Sequence, residues 1–272
     1  TATSGPRVEL KRLCDTYIAD SIGFLRRHIT EPLPSVNNGL VNSLLKLFSC
    51  FLQPFYGPFD GGVKPKPTAG DVRDFCENIE SQFLFCLVWS IMATADAAGR
   101  RKFDKFLRNL SLSNGVKVFF PERGLIYDYT FDPDASEWVT WESLMEVYHH
   151  DPKASFAEMI IPTMDTVRYT YLLKTLVENK MHVLMTGPTG TGKTVNVNRW
   201  LSRGAPKHFV PLTFTFSAQT SANMTQDVID GKCEKRRKGV YGPMAGQQFV
   251  LFIDDINMPM REEYGAQPPI EL

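Results

Sequence analysis

Apolar residues fall at helical spacing over residues 8–29, where Leu10, Leu13, Tyr17, Ile18, Ile22 and Leu25 share one face of a predicted amphipathic helix. Arg26, Arg27 and His28 crowd its end, where cations complement the helix dipole, and Pro32 and Pro34 then break the pattern. A second helix is predicted over 42–51, with Val41, Leu44, Leu45, Leu47, Phe48 and Phe51 forming its apolar face. Four prolines and three glycines over 54–68 predict a surface loop. Helical spacing returns over 72–98, and a shorter helix is expected over 102–110. The most apolar run, 83–95, is interrupted by Ser90 and Thr94. It is shorter than the roughly 20 residues that span a bilayer, and it reads as a buried helix. Residues 1–115 therefore read as an all-helical unit.

The texture then changes. Short strands are predicted over 116–120, 125–131 and 137–140, separated by Pro121 and Gly124 and by Asp132-Pro133-Asp134, with Trp138 and Trp141 packing the small sheet. Residues 116–160 read as a β-rich connector. From 161 to 272 strands and helices alternate. Thr163 or Asp165 caps a helix over 166–178, a strand over 182–185 follows, and a helix is expected over 195–201. Further on come a strand over 210–216, a helix over 222–234 and a strand over 249–253. Such alternation implies a parallel α/β sheet. No internal repeat is apparent.

The strongest chemical signal is Gly187-Pro188-Thr189-Gly190-Thr191-Gly192-Lys193-Thr194, which fits G-x-x-x-x-G-K-[ST] at every position. The glycines let backbone amides turn toward phosphates, Lys193 neutralises the outer phosphates, and the Thr194 hydroxyl is placed to ligate magnesium. A predicted strand precedes the loop and a predicted helix follows it, whose N-terminus adds partial positive charge. About 60 residues later the apolar run 249–253 ends in Asp254 and Asp255. A buried central strand that delivers acids at its C-terminal end is where a phosphate-loop fold binds magnesium. Asp254 is read as holding the metal through water and Asp255 as the general base, with a cap or turn role as the alternative for Asp255. Ser217, Gln219 and Thr220 follow a predicted strand and either contact the γ-phosphate side or cap the next helix, the cap being preferred. Asn257 either positions the acids or shapes the turn before Pro259.

Composition narrows the class. Apolar residues make up 43% and charged residues 22% of 272, as in a soluble globular protein. Thirty basic residues balance thirty acidic ones, against the basic excess of a general nucleic-acid binder. Lys232, Lys235, Arg236, Arg237 and Lys238 form a local basic run, read as a solvated helix end or, alternatively, a contact with a neighbouring domain. Cys14, Cys50, Cys76, Cys86 and Cys233 form no CxxC pair or zinc spacing, and are expected to be free, buried thiols of a reduced, intracellular chain. His149-His150 lacks a third ligand for a metal site. Residues 1–10 carry charges and no apolar stretch, so no targeting signal is expected. The missing initiator Met suggests an internal piece of a longer chain.

The sequence resembles an axonemal dynein heavy chain, over the helical end of the second AAA+ module and the beginning of the third. The resemblance rests on TMDTVRY (163–169), the phosphate loop, FSAQTSA (216–222), EKRRKG (234–239), the acids with Asn257-Met258-Pro259, and YGAQPPIEL (264–272). ESQF (80–83) and FFPERG (119–124) extend it through the helical part, to almost the whole chain. It implies an α/β P-loop NTPase (AAA+) core, incomplete at its C-terminus, within a six-module motor ring. It further implies ATP and Mg2+ as cofactors, with Ile161, Pro162 and Thr163 near the adenine. Partners would be the neighbouring AAA+ modules of the same heavy chain and, through the full-length motor, microtubules and dynein light and intermediate chains; neither nucleic acid nor membrane is implied. The location would be the cytoplasm and the axoneme of cilia or flagella. The third module of this family is usually regulatory, the first carrying the main hydrolysis cycle. Two departures bear on catalysis. Asp255 stands where AAA+ ATPases more often carry Glu, one methylene longer. The sensor strand, arginine finger and small lid of the third module would lie beyond Leu272. Slow hydrolysis, a non-catalytic regulatory switch and a structural spacer are the competing expectations.

Overall fold

The computed structural model describes residues 6–56, 68–145 and 161–272. The predicted loop over 54–68, His149-His150 and the end of the connector fall largely or wholly outside these residues. The chain divides into two compact bodies, Thr1–Thr191 and Gly192–Leu272.

The first body is built on four helices: α1 (Pro6–His28), α2 (Asn37–Tyr56), α3 (Ala69–Val88) and α4 (Ala97–Ser113). α3 is its axis. Every residue from Asn78 to Met92 is buried; over 83–88 the helix is apolar on all sides and finds no face to give to water. The helix ends at Val88, earlier than the predicted 98, and the chain continues through buried turns to α4. Some polar groups caught in this core find partners, whereas Gln82 Oε1, Trp89 Nε1, Ser21 Oγ and Ser111 Oγ are buried without one among the described residues. Asn78 Nδ2 donates to the Pro133 carbonyl at 2.9 Å. The Glu80 carboxylate accepts from Arg12 at 3.1 Å, the Tyr17 hydroxyl at 3.3 Å and the Lys117 amide at 3.3 Å.

Two predicted strands are corrected here. Residues 116–120 form no strand, because their backbone groups are taken up without a ladder. The Val116 amide donates to Ser111 O, the Trp138 indole donates to Val118 O, and the Arg108 guanidinium to Phe120 O and Pro121 O. Residues 125–131 begin as a 3-10 turn, Ile126–Asp128, held by Asp128 Oδ2 on the Leu125 amide and Asp104 Oδ1 on the Ile126 amide. The strand β1 (Tyr129–Asp132) follows and pairs antiparallel with β2 (Glu137–Thr140). This hairpin shares one core with the helices: Trp141, Tyr127, Phe83, Phe48 and Tyr17 are all fully buried. Trp138 and Trp141 pack as expected, Trp141 donating its indole N–H to Tyr127 O at 3.0 Å.

α5 (Met164–Glu178) packs on the same core through Val167, Tyr169, Tyr171, Leu172 and Leu176. Thr163 caps it, accepting the Thr166 amide, which decides between the two predicted caps. The predicted strand over 182–185 is absent. Among the described residues it has no hydrogen-bonded neighbour, and Leu184 stays 69% exposed.

The second body carries α6 (Lys193–Arg199), a π turn at Trp200–Gly204, β3 (Phe209–Thr215), α7 (Ala222–Asp230), β4 (Glu234–Arg237), β5 (Val240–Gly242), β6 (Gln248–Asp254) and α8 (Pro268–Glu271). β3 and β6 are parallel, as the alternation predicted. Leu212, Phe214 and Phe216 make the core of one sheet face, with Ile229, Phe249, Ile253 and Ile256 against them. β6 was expected to be a buried central strand. With β3 as its one partner among the described residues it keeps an open edge, and Leu251 is 46% exposed. The predicted helix 222–234 stops at Asp230, capped by Gly231, so the basic run does not sit on a helix end. Lys235, Arg236 and Arg237 lie in β4 of a hairpin that turns through Lys238 and Gly239, the latter at φ 74°, and Arg236 donates to the carbonyls of Pro243 and Met244. No helix of the described residues is long and apolar enough to cross a membrane.

Truncating Trp141 to Ala removes the largest fully buried side chain and leaves the Tyr127 carbonyl short of a donor. Urea unfolding should show a loss of about 3–5 kcal/mol.

Candidate nucleotide-binding site

The phosphate loop is written into backbone conformation. Gly187, Gly190 and Gly192 have φ of 155°, 81° and 78°, a region that residues with a Cβ rarely adopt. A Cβ added at Gly190 or Gly192 would meet no atom within 4 Å, so these glycines answer to backbone shape and leave the loop's surface open. In the first body, Thr191 Oγ1 donates to Pro188 O at 2.9 Å and pins the turn. Pro188, Thr189, Gly190 and Thr191 are exposed. Ile161 and Thr163 are exposed and Pro162 half-buried, immediately before α5.

In the second body, Gly192 is the N-cap of α6, and Lys193 and Thr194 are half-buried in its first turn. The Thr194 hydroxyl donates to Asp254 Oδ1 at 3.1 Å, across 60 residues of sequence. The same oxygen accepts the Asp255 amide at 3.1 Å. Asp254 is half-buried at the C-terminal end of β6, and its carbonyl accepts the Phe216 amide at 3.0 Å. The two residues expected to bind magnesium thus converge. Among the described residues no group of three or more metal-ligating side chains exists.

Asp255 is exposed and sits at φ 52°, a left-handed conformation uncommon for a residue with a side chain. The Asp255 carbonyl accepts the Met258 amide at 2.9 Å, so a tight turn carries Asp255, Ile256 and Asn257 away from the strand. Asn257 lies in that turn, before Pro259. Ser217 and Thr220 build another turn, in which the Ser217 amide donates to Thr220 Oγ1 at 2.9 Å. The cap of α7 is Ser221, accepting the Met224 amide, rather than Ser217, Gln219 or Thr220. All five thiols are free; Cys50 and Cys86 are buried as expected, whereas Cys14, Cys76 and Cys233 are only half-buried, and burial raises Cys50 to about 11 and raises Cys86 well above the ordinary thiol value.

Two family models cover most of the chain. Residues 148–272 match the P-loop containing dynein motor region, and residues 10–143 match the dynein heavy chain AAA lid domain. The chain belongs to the dynein heavy chains. It is similar to dynein axonemal heavy chain 1 of Mus musculus, 44% identical over 281 residues, covering 97% of this chain and 6% of that protein. It is 42% identical to dynein axonemal heavy chain 1 of Homo sapiens, over 96% of this chain and 6% of that protein. It is 34% identical to dynein axonemal heavy chain 2 of Homo sapiens, over 97% of this chain and 6% of that protein. The chain thus spans a small fraction of these dyneins, and the P-loop family to which its second half belongs makes this a candidate nucleotide site.

Sequence reasoning missed Arg168. It lies inside a dynein-like motif, but its burial depends on Trp89 and Asp128, 79 and 40 positions away. The acid at i−3, Asp165, is the one local hint.

The left-handed backbone at Asp255 should tolerate Asn and resist β-branched residues. Asp255→Val is expected to lower stability by about 1–2 kcal/mol, whereas Asp255→Asn changes it little, read from urea midpoints.

Proposed function

We propose that this dynein chain binds Mg-ATP and serves as a nucleotide-responsive AAA+ module of a motor ring. The single observation that carries this reading is the hydrogen bond from Thr194, last residue of a complete phosphate loop, to Asp254 at the end of β6. Two hard oxygens held together, one hydroxyl and one carboxylate, suit a magnesium ion between protein and phosphates. Bound magnesium supplies charge neutralisation across the outer phosphates.

The roles of the residues follow. The amides of Gly187, Pro188's neighbour Thr189, Gly190, Thr191 and Gly192 cradle phosphate oxygens, and the Lys193 ammonium pairs with the outer phosphates. Thr194 and Asp254 orient the metal. Ile161, Pro162 and Thr163 flank the adenine. Asp255 holds the attacking water. Its short side chain and turn-bound backbone favour slow hydrolysis over rapid turnover, which supports the regulatory alternative as the second reading.

At the level of the chain, residues 1–115 act as the helical small domain of the preceding module, 116–160 as its connector and 161–272 as the core of the next. The whole motor would move along microtubules in the axoneme of cilia or flagella, with the neighbouring modules and the light and intermediate chains as partners. The names of the relatives, axonemal heavy chains, support that assignment.

Calorimetric titration tests the reading. Lys193→Ala should weaken Mg-ATP binding at least about tenfold, given roughly 1.5–3 kcal/mol for a charge-assisted hydrogen bond. Equal binding by the variant refutes the phosphate-loop assignment. In the complete ring, Asp255→Asn separates the two modes: a motor that still moves at its usual speed is using this module as a switch.

A further inference from the structure

Arg168 is the most deeply buried cation described in the chain, 8% exposed at its side chain. It lies one turn into α5 and reaches back across the first body. Its Nε sits 3.2 Å from Asp165 Oδ1, an ion pair without hydrogen-bond alignment. Its Nη2 sits 3.9 Å from Asp128 Oδ1, and its Nη1 donates to the Tyr127 carbonyl at 3.5 Å. Its guanidinium carbon lies 6.0 Å from the Trp89 ring centroid. The partners are themselves fixed. Asp128 Oδ2 holds the Leu125 amide, and the Tyr127 carbonyl also takes the Trp141 indole N–H. None of these contacts is needed to make α5 helical. The contacts with Asp128, Tyr127 and Trp89, all outside α5, set the rotation of α5 about its own axis relative to the helical core, and the Asp165 pair within α5 steadies the guanidinium that makes them.

Three residues upstream of the helix inherit that orientation, and they are stiff. Thr163 is locked as the cap at φ −111° and ψ 168°. Proline fixes its own φ, and it restricts the residue before it to extended conformations. Ile161 therefore projects from a short rigid arm, 67% exposed, with Met164 three residues further on at 39%. An exposed aliphatic side chain on a rigid arm is suited to cover the flat face of a purine.

We infer that Arg168 is a positioning residue for nucleotide-base recognition, holding the Ile161-Pro162-Thr163 arm where it can cover the base while leaving the phosphate contacts to the loop. This rests on the reading of that arm as the adenine contact. The guanidinium fork, rather than its charge alone, carries the role, because it meets three partners in different directions.

The experiment compares Arg168→Lys with the unaltered chain, titrating Mg-ATP and Mg-tripolyphosphate separately. The lysine keeps the charge but loses the fork. The ratio of ATP to tripolyphosphate affinity should fall about fivefold or more in the variant, with tripolyphosphate affinity unchanged. A purely structural role would lower both affinities together, and that outcome overturns the inference, as does an unchanged ratio. An unaltered chain that prefers ATP no more than tripolyphosphate overturns the adenine reading itself, a different failure visible before any variant is made. Should Arg168→Lys fail to fold by circular dichroism, Asp165→Asn takes its place. It removes an exposed partner of the same guanidinium, and the same fall in ratio is expected; no fall contradicts the inference.

Discussion

Seven residues of β3 lie in parallel register with seven of β6, from Phe209 beside Gln248 to Thr215 beside Asp254. The chemistry of the second body depends on that ladder. It ends where the Phe216 amide takes the Asp254 carbonyl, so the Asp254 side chain leaves the sheet at its C-terminal end with its backbone already committed. There it accepts the Thr194 hydroxyl from the first turn of α6. A slip of one residue would turn the carboxylate to the opposite sheet face and break the pair. Burial of Leu212, Phe214 and Phe216 on one face opposes that slip, so the packing of β3 specifies the placement of an acid on β6.

The first body solves a different problem. α3 is buried from Asn78 to its end, and the polar residues there need partners brought from far along the chain. Glu80 collects a guanidinium, a phenol and an amide; Asp104 holds the 3-10 turn before β1. A buried group left without such partners costs roughly 1–3 kcal/mol, so these contacts bind the hairpin and helices into one core. α5 joins that core through aromatic edges, with Tyr171 against Phe85 and Trp141. The two family models meet between 143 and 148, whereas α5, in the second match, packs with the helices of the first.

Local signals were legible where a residue's role depends on its neighbours in sequence. The helices α1 and α2 and the place of Asp254 at the end of β6 belong here, while the cap of α5 was narrowed to Thr163 or Asp165. Legibility failed where distant groups decide. Residues 116–120 have strand-like alternation, yet Trp138 takes the Val118 carbonyl and Arg108 the Phe120 carbonyl. Residues 182–185 are apolar enough for a strand but lack a ladder partner among the described residues. The basic run continues a helical pattern past Asp230, yet Gly231 and the Gly239 turn make it a hairpin. The sequence offers Thr194 and Asp254 separately as candidate metal ligands, while the direct hydrogen bond between them needed the structure.

The magnesium dependence of ATP affinity tests the central claim most directly, measured for the unaltered chain and for Asp254→Asn. An asparagine keeps the shape and can still accept the Thr194 hydroxyl, but it lacks the charge that would draw the ion. Magnesium should strengthen ATP binding to the unaltered chain about tenfold or more and do little for Asp254→Asn, since a charged contact is worth roughly 1.5–3 kcal/mol. Equal magnesium dependence in the two proteins would contradict the claim.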